Sequence, residues 1–192
     1  MLNYIPLESA LCEGQDYVVG ISNKLGLEVK AVKHEKFTNT CFEKAELLNW
    51  PAERVVKAVY LSNCDSMYGF VFPELGNGFP RYINSKDISR VLEINGKQAK
   101  KYRNSNCPES MEMGTCTPFV TENSFCNSNK LLRKIFFHDF SKIDNELVDI
   151  SIGGYGEKAH KISLHLNYGI IYEILNYKFG ERINKVDLFN KV

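Results

Sequence analysis

The chain has 192 residues, of which 44% are hydrophobic, 24% charged and 12% aromatic. That composition fills one ordinary hydrophobic core and excludes an intrinsically disordered protein. Lys and Arg total 24 against 23 Asp and Glu, a net charge of +1, which excludes a polybasic protein gripping nucleic acid over a wide surface.

The N-terminal run Met1-Leu2-Asn3-Tyr4-Ile5-Pro6 has no basic segment leading into an apolar one, so no signal peptide is expected. No apolar run approaches the ~20 residues of a membrane helix, and a cytoplasmic location with no membrane partner is expected. Cysteines stand at Cys12, Cys41, Cys64, Cys107, Cys116 and Cys126. Without a secretory signal they are expected as reduced thiols. No Cys-x-x-Cys occurs and the four histidines lack zinc-ligand spacing, so no metal is expected.

In chain order, apolar residues at Leu7, Ala10, Leu11, Val18, Ile21 and Leu25 predict a helix over 7–25, stopped by Gly26. Residues 27–32 alternate and predict a strand. A short helix is expected over 41–49. Residues 55–61 (Val-Val-Lys-Ala-Val-Tyr-Leu) are β-rich and predict a central strand that carries one cation. Residues 68–72 form its hairpin partner. Asn84, with Asp87 three residues on, predicts a capped helix to about Ile94. Residues 95–110 are polar and basic, and 121–133 read as an irregular connection. Strands follow at 135–140, 148–152 and 162–166, with a glycine turn at 153–156 and a final helix at 167–178. The expected architecture is mixed α/β (α+β): one domain with a curved, partly barrel-like mixed sheet surrounded by helices. Residues 1–25 are read as a helical extension or first helix, 26–180 as the domain, and 181–192 as a tail.

Several motifs are absent: Gly-x-Gly-x-x-Gly after a strand, a P-loop, a Gly-x-Ser-x-Gly elbow and His-Glu-x-x-His. Dinucleotide enzymes, P-loop NTPases and serine hydrolases of the elbow type are disfavoured. The glycines at 153–156, with no helix start expected after them, make a poor phosphate cradle.

Two features carry chemistry. Lys57 sits in an apolar strand, where a buried ammonium is costly unless paired or facing a cleft. The alternative is a lysine at a sheet edge, pointing to solvent. Gly114-Thr115-Cys116-Thr117-Pro118-Phe119 brackets a loop between a glycine that permits close approach and a proline that fixes the exit. Successive N–H groups in such a turn can point at a carbonyl oxygen or phosphate, although an ordinary surface turn has the same composition.

In order and spacing these features resemble the YbaK family and the related editing domain of bacterial prolyl-tRNA synthetases. Ala52-Glu53-Arg54-Val55-Val56-Lys57-Ala58-Val59-Tyr60-Leu61 is similar to the family's lysine strand. The 114–118 segment is similar to its Gly-x-x-x-Pro loop. Ile143-Asp144-Asn145-Glu146-Leu147 with the following strand is similar to its late Asp-containing turn, and His34-Glu35-Lys36-Phe37-Thr38 to its His-containing strand end. The likeness spans residues 25–178. The chain departs from the family in having Lys57-Ala58 where Lys-Thr is frequent, and in the polar segment 99–112.

The resemblance implies a hydrolase, a deacylase that acts in trans and cleaves the ester of a mischarged tRNA without metal or organic cofactor. The substrate implied is tRNA for proline carrying a small amino acid. Lys57, Gly114 and Pro118 would form the catalytic set, with Lys57 orienting the terminal nucleotide and the loop donating to the ester carbonyl. The attacking water would be assisted by the substrate's own ribose hydroxyl. His34, Thr38, Thr115, Cys116, Thr117 and Gly154 would bind substrate, and Lys97, Lys100, Lys101 and Arg103 would follow the phosphates of the tRNA acceptor end. A synthetase partner is compatible with the small charge, and DNA binding is not implied. A Cys116 thiol nucleophile lacks an evident base. His160 and His165, five apart on one expected strand, would face opposite sides and receive no catalytic role. The rivals are a non-catalytic tRNA- or synthetase-binding module of the same fold, and an unrelated mixed domain.

Overall fold

A computed structural model describes residues 2–10, 15–63, 66–76, 80–104, 108, 111, 112, 114–125 and 131–189. In chain order the elements are β1 (Asn3–Ile5), α1 (Gln15–Leu25), β2 (Lys30–Lys33), α2 (Cys41–Leu48), β3 (Val55–Ser62), β4 (Ser66–Pro73), α3 (Ser85–Val91), α4 (Gly96–Ala99), β5 (Arg103–Asn104), β6 (Leu131–His138), β7 (Leu147–Ser151), α5 (Gly156–Lys161), β8 (Ile162–Asn167), α6 (Tyr168–Phe179) and β9 (Ile183–Val186). The strands make one mixed sheet in the order β1-β2-β8-β7-β3-β4-β6-β9, with β5 attached to β3. The expected single mixed α/β domain is present, and its sheet is open rather than closed into a barrel.

β3 positions everything that follows. Its β-branched and aromatic residues pair with β4 along nearly their whole length, Val56 opposite Pro73 through Ser62 opposite Met67. On the other edge β7 runs parallel to β3 only at Val55 and Val56. β5 pairs there only at Leu61 and Ser62. Between them, the edge at residues 57–60 has no strand partner among the described residues. Unpaired backbone donors and acceptors need another partner, and this gap is where the chain opens a pocket.

Alternation along β3 sends Val56, Ala58 and Tyr60 into the larger core cluster, which includes Val18 and Ile21 of α1 and Tyr168, Ile171, Ile174 and Leu175 of α6. The opposite face holds the smaller cluster of Leu61, Phe70, Phe72, Ile88, Ala99, Phe136 and Leu188, which α3 and α4 help cover. Each fully buried side chain of this size contributes about 1.5–3 kcal/mol. The capping box of Asn84 with Asp87 forms as expected, and Asn95 with Gln98 repeats it on α4.

The structure departs from the expected elements in identifiable places. The stretch read as a helix over 7–25 is a 3-10 turn at Leu7–Ala10 and then α1, preceded by a strand that pairs with β2. The connection expected to be irregular over 121–133 contains a 3-10 turn at Glu122–Phe125, and β6 starts at Leu131. A register shift where β6 meets Met67 and Tyr68 exposes Arg133 and Lys134 in succession, which hid the strand's period of two. α5 begins directly at the glycine run, with Gly156 at φ +74°, so His160 lies on a helix and only His165 on a strand. The stretch read as a tail contributes β9, parallel to β6.

Candidate active-site pocket

A pocket of about 380 Å³ lies against the β3 gap, with Lys57 and Tyr60, Lys44, Gly114, Cys116 and Asp149 among its walls. The lysine strand and the glycine loop therefore meet at one cavity.

Lys57 is 17% exposed at its side chain and its partner Glu74 only 1%. The Lys57 Nζ donates to Glu74 Oε2 at 2.5 Å and to the Arg81 carbonyl at 2.6 Å. Glu74 Oε1 accepts from the Gly76 and Arg81 amides at 3.0 and 2.7 Å. The ammonium lies 5.0 Å from the Phe72 ring centre and 5.9 Å from that of Tyr82. Lys57 is thus neither an edge lysine in solvent nor an unpartnered charge. Two of its three donors hold the segment after β4 in place, and one remains for a ligand.

The glycine loop is held from three sides. Gly114 has φ +91°, and a Cβ there would stand 3.3 Å from the His160 ring, so only glycine fits comfortably. The Thr115 hydroxyl lies 2.8 Å from the Gly154 carbonyl and 2.9 Å from that of Glu112, its single hydrogen serving one at a time, and accepts from the Glu112 amide at 3.2 Å. The Tyr60 hydroxyl donates to the Thr117 carbonyl at 2.7 Å. Glu112 accepts from the Gly156 amide at 2.6 Å and meets His160 Nε2 at 2.9 Å, and that ring stacks on Phe37.

A buried polar cluster lies along the same stretch of sheet. Asp149 on β7 is opposite His165 on β8, and Ser163 stands two residues before His165 on the same face. The Ser163 hydroxyl donates to Asp149 Oδ2. Having one hydrogen, it accepts from His34 Nε2 at 2.6 Å. His165 Nε2 donates to Asp149 Oδ2 at 3.0 Å. Burial alone would push the Asp149 carboxyl up, but the hydrogen bonds from His165 and His34, with the nearby Lys44 charge, hold it well below the ordinary carboxylate range. Asp149 is a fixed negative charge and a poor proton acceptor. His34, Asp149 and His165 place their ligating atoms within 4.8 Å of one another, a donor set able to hold a divalent ion. The Ser163 bonds to His34 and Asp149 also account for the arrangement as a hydrogen-bonded cluster.

α2 opens onto the pocket with its first turn. Thr40 caps it by accepting from the Glu43 amide, and Glu43 Oε2 accepts from the Asn39 amide at 2.7 Å. Desolvation pushes the Cys41 thiol up to about 11, so it is no thiolate at neutral pH. Desolvation lowers the Lys44 pKa, and the Asp149 charge raises it in part.

Of the residues singled out in sequence, Lys57, Gly114, Cys116 and Thr38 line the pocket. His34 is buried in the Asp149 cluster instead. Thr115 and Thr117 are fully buried and support the loop rather than face a ligand, as does buried Pro118. Gly154 receives the Thr115 hydroxyl. Lys97, Lys100 and Lys101 are exposed on and just after α4, outside the pocket. The side chain of Arg103, residues 105–107 and 113, and Lys130 lie outside the described residues. The expectation of reduced thiols fails at Cys116, which is disulfide-bonded, while Cys41 is free. A thiol nucleophile at Cys116 is therefore unavailable in this state. Sequence reading missed Glu74, Asp149, Ser163 and Lys44. The last three betray themselves only as polar residues at positions that the sheet or α2 turns inward.

No family model and no curated protein matches the chain. Solved structures do match in fold. A hypothetical protein is 17% identical over 88% of this chain and 98% of its own, with a TM-score of 0.58. A protein provisionally described as a trans-editing enzyme for prolyl-tRNA synthetase is 15% identical over 92% of this chain and 98% of its own, with a TM-score of 0.57. A scaffold from computational epitope grafting scores 0.57 at 13% identity, over 95% and 100%. At these identities the likeness establishes a shared fold. Among the described residues, no helix is long and apolar enough to cross a membrane.

Proposed function

We propose that the chain is an aminoacyl-tRNA deacylase of the YbaK and prolyl-tRNA-synthetase-associated type, a hydrolase that acts in trans on a mischarged tRNA. tRNA for proline carrying a small amino acid is the first substrate to test. The observation that carries the reading is that Lys57 and the Gly114 loop line one pocket at the break in the β3 edge. The shared fold with a provisionally described trans-editing enzyme supports it.

An aminoacyl ester is already activated, so positioning and electrostatic stabilisation can supply the rate. The remaining Lys57 donor binds the terminal nucleotide or ester oxygen. The Thr115 amide donates to the Glu112 carbonyl at 3.1 Å, so the loop meets the ester carbonyl through its Gly114 and Cys116 backbone, both on the pocket wall. Asp149, anionic and set in the pocket wall, receives the α-ammonium. The ribose hydroxyl beside the ester assists the attacking water, so no side-chain base is invoked, and no cofactor is needed. The acceptor end of the tRNA is the macromolecular partner, followed by Lys97, Lys100, Lys101 and Arg103, with a synthetase as a second candidate partner.

A second reading has one observation in its favour. Lys57 is already engaged by Glu74 and Arg81, as suits a binding module that uses it for folding alone. The deciding experiment is deacylation of an aminoacyl-tRNA panel by wild type, Lys57→Ala, and a Lys57→Met variant that also carries Glu74→Gln. Release of one amino acid by wild type, lost in both folded variants, is expected. An undiminished rate in either variant removes Lys57 from the mechanism. Binding of tRNA with no release from any member favours the module.

A further inference from the structure

Lys44 is hydrogen-bonded to neither the Glu74 pair nor the Asp149 cluster, although its charge and that of Asp149 act on each other. It is the fourth residue of α2, is 8% exposed and lines the pocket. Its backbone amide donates to the Thr40 carbonyl at 3.1 Å, but its ammonium makes no hydrogen bond or ion pair among the described residues. Lysines are almost never buried this far without a partner, since an ammonium out of water needs acceptors. The other acidic residues of α2, Glu43 and Glu46, are exposed, and Glu43 is turned back onto the Asn39 amide. Asp149 is the nearby anion, but its Oδ2 takes the Ser163 and His165 donors. The first turn of α2 adds the partial positive charge of a helix N-terminus on the same side.

The pocket therefore presents, on one wall, an ammonium with no acidic side chain bonded to it and a fixed carboxylate. A backbone phosphate of tRNA is bulky and stays hydrated, which suits an exposed lysine better than one buried in a pocket wall. A group small enough to reach Lys44 while meeting Asp149 carries a carboxylate and an ammonium a few bonds apart.

On the deacylase reading, we infer that the pocket selects an aminoacyl group with an acidic side chain, an aspartyl or glutamyl ester, and that Lys44 is the specificity-determining residue. The α-ammonium meets Asp149 and the side-chain carboxylate meets Lys44.

The test uses non-hydrolysable 3′-amide analogues of aminoacyl-adenosine, with aspartyl, glutamyl, asparaginyl and alanyl groups. Their binding is measured by calorimetry to wild type, Lys44→Met and Lys44→Gln. Asparaginyl matches aspartyl in shape and isolates the charge. The better acidic analogue is expected to bind wild type about ten- to a hundred-fold tighter than the asparaginyl one, the range of one charged hydrogen bond. That preference should vanish in both variants. Equal binding of aspartyl and asparaginyl analogues, or a preference that survives in a folded Lys44 variant, overturns the inference. The two substitutions differ in polarity, so a folding failure in one leaves the other to decide. Deacylation of the matching tRNA esters is measured in parallel. Acidic preference in binding with no ester cleaved keeps Lys44 as the selector and sinks the deacylase. Cleavage of alanyl ester with no Lys44-dependent preference sinks the inference and keeps the enzyme.

Discussion

Lys57 and Lys44 line the same pocket, one from a central strand and the other from the first turn of a helix, yet only Lys57 has an acidic partner. Glu74 reaches Lys57 because the chain leaving β4 folds back and donates the Gly76 and Arg81 amides to the other carboxylate oxygen. That arrangement satisfies both charges and ties the Gly76 and Arg81 backbone to the end of β4. Lys44 has no such anchor, and its neighbour Asp149 is committed to two other donors. A paired lysine contributes to folding, and its loss exposes the partner's unbalanced charge. An unpaired buried lysine weakens the fold, and its presence calls for a ligand.

The largest expected effect follows from that contrast. Lys57→Met leaves Glu74 buried and uncompensated, and should cost about 3–5 kcal/mol in urea denaturation. Adding Glu74→Gln should recover most of the loss, because the pair rather than either residue is what the fold tolerates. Lys44→Met, which removes an unpaired buried charge, should leave stability within about 1 kcal/mol of wild type or raise it. Equal losses at the two lysines would erase the distinction between them.

The next effect concerns pH, and the two sides of the pocket differ in where it acts. Asp149 has its folded-state pKa held below its ordinary value of 3.8. Its contribution is therefore complete above that value and is lost as pH falls through the folded pKa. Asp149→Asn should cost about 2 kcal/mol at neutral pH and flatten the acid limb of a stability profile. Lys44 has a lowered pKa against its ordinary 10.5. Between the lowered value and 10.5 the unfolded chain holds more protons, so stability rises with pH across that window. The rise should be absent in Lys44→Met. An acid limb unchanged in Asp149→Asn would show that the cluster is not what titrates.

These contrasts also mark what the sequence could convey. Strands β3, β7 and β8 and the α3 cap were readable because each rests on local signals: β-branched runs, alternation, and Asn84 with Asp87 at capping-box spacing. Lys57 was conspicuous for the same reason, as a cation in an apolar run. Its partner was not, because Glu74 lies in a turn-rich stretch where an acidic residue is unremarkable, and only the return of residues 76 and 81 makes it buried. The Asp149 cluster depends on the register of β7 against β8 and on β2 ending beside them, which no single segment encodes. Lys44 looks like a solvated helix lysine until the pocket side of α2 is known. Thr115 and Thr117 show the opposite error. A polar loop reads as ligand-facing, yet both side chains are buried: the Thr115 hydroxyl fastens the loop to the Gly154 turn, and that of Thr117 accepts from the Phe119 amide within the loop.

The smallest expected effect on stability, and the sharpest test of where tRNA and acyl group are recognised, lies outside the pocket. Lys100 and Lys101 are exposed beside α4, whose Ala99 is buried in the cluster on Lys57's face of the sheet. Reversing both charges to Glu should change stability by no more than about 0.5 kcal/mol. If they follow phosphates, tRNA binding weakens, and the slope of log affinity against log salt becomes shallower by about 1 to 2, since each lost phosphate contact removes somewhat less than one released counterion. Binding of aminoacyl-adenosine analogues, which lack those phosphates, should not change. Lys44→Met should do the reverse, altering the choice among acyl groups while leaving the salt slope of tRNA binding intact. A double reversal that leaves the slope untouched would move the tRNA footprint away from α4. One that also disturbed analogue selectivity would mean that backbone grip and acyl recognition are not separate regions of this molecule.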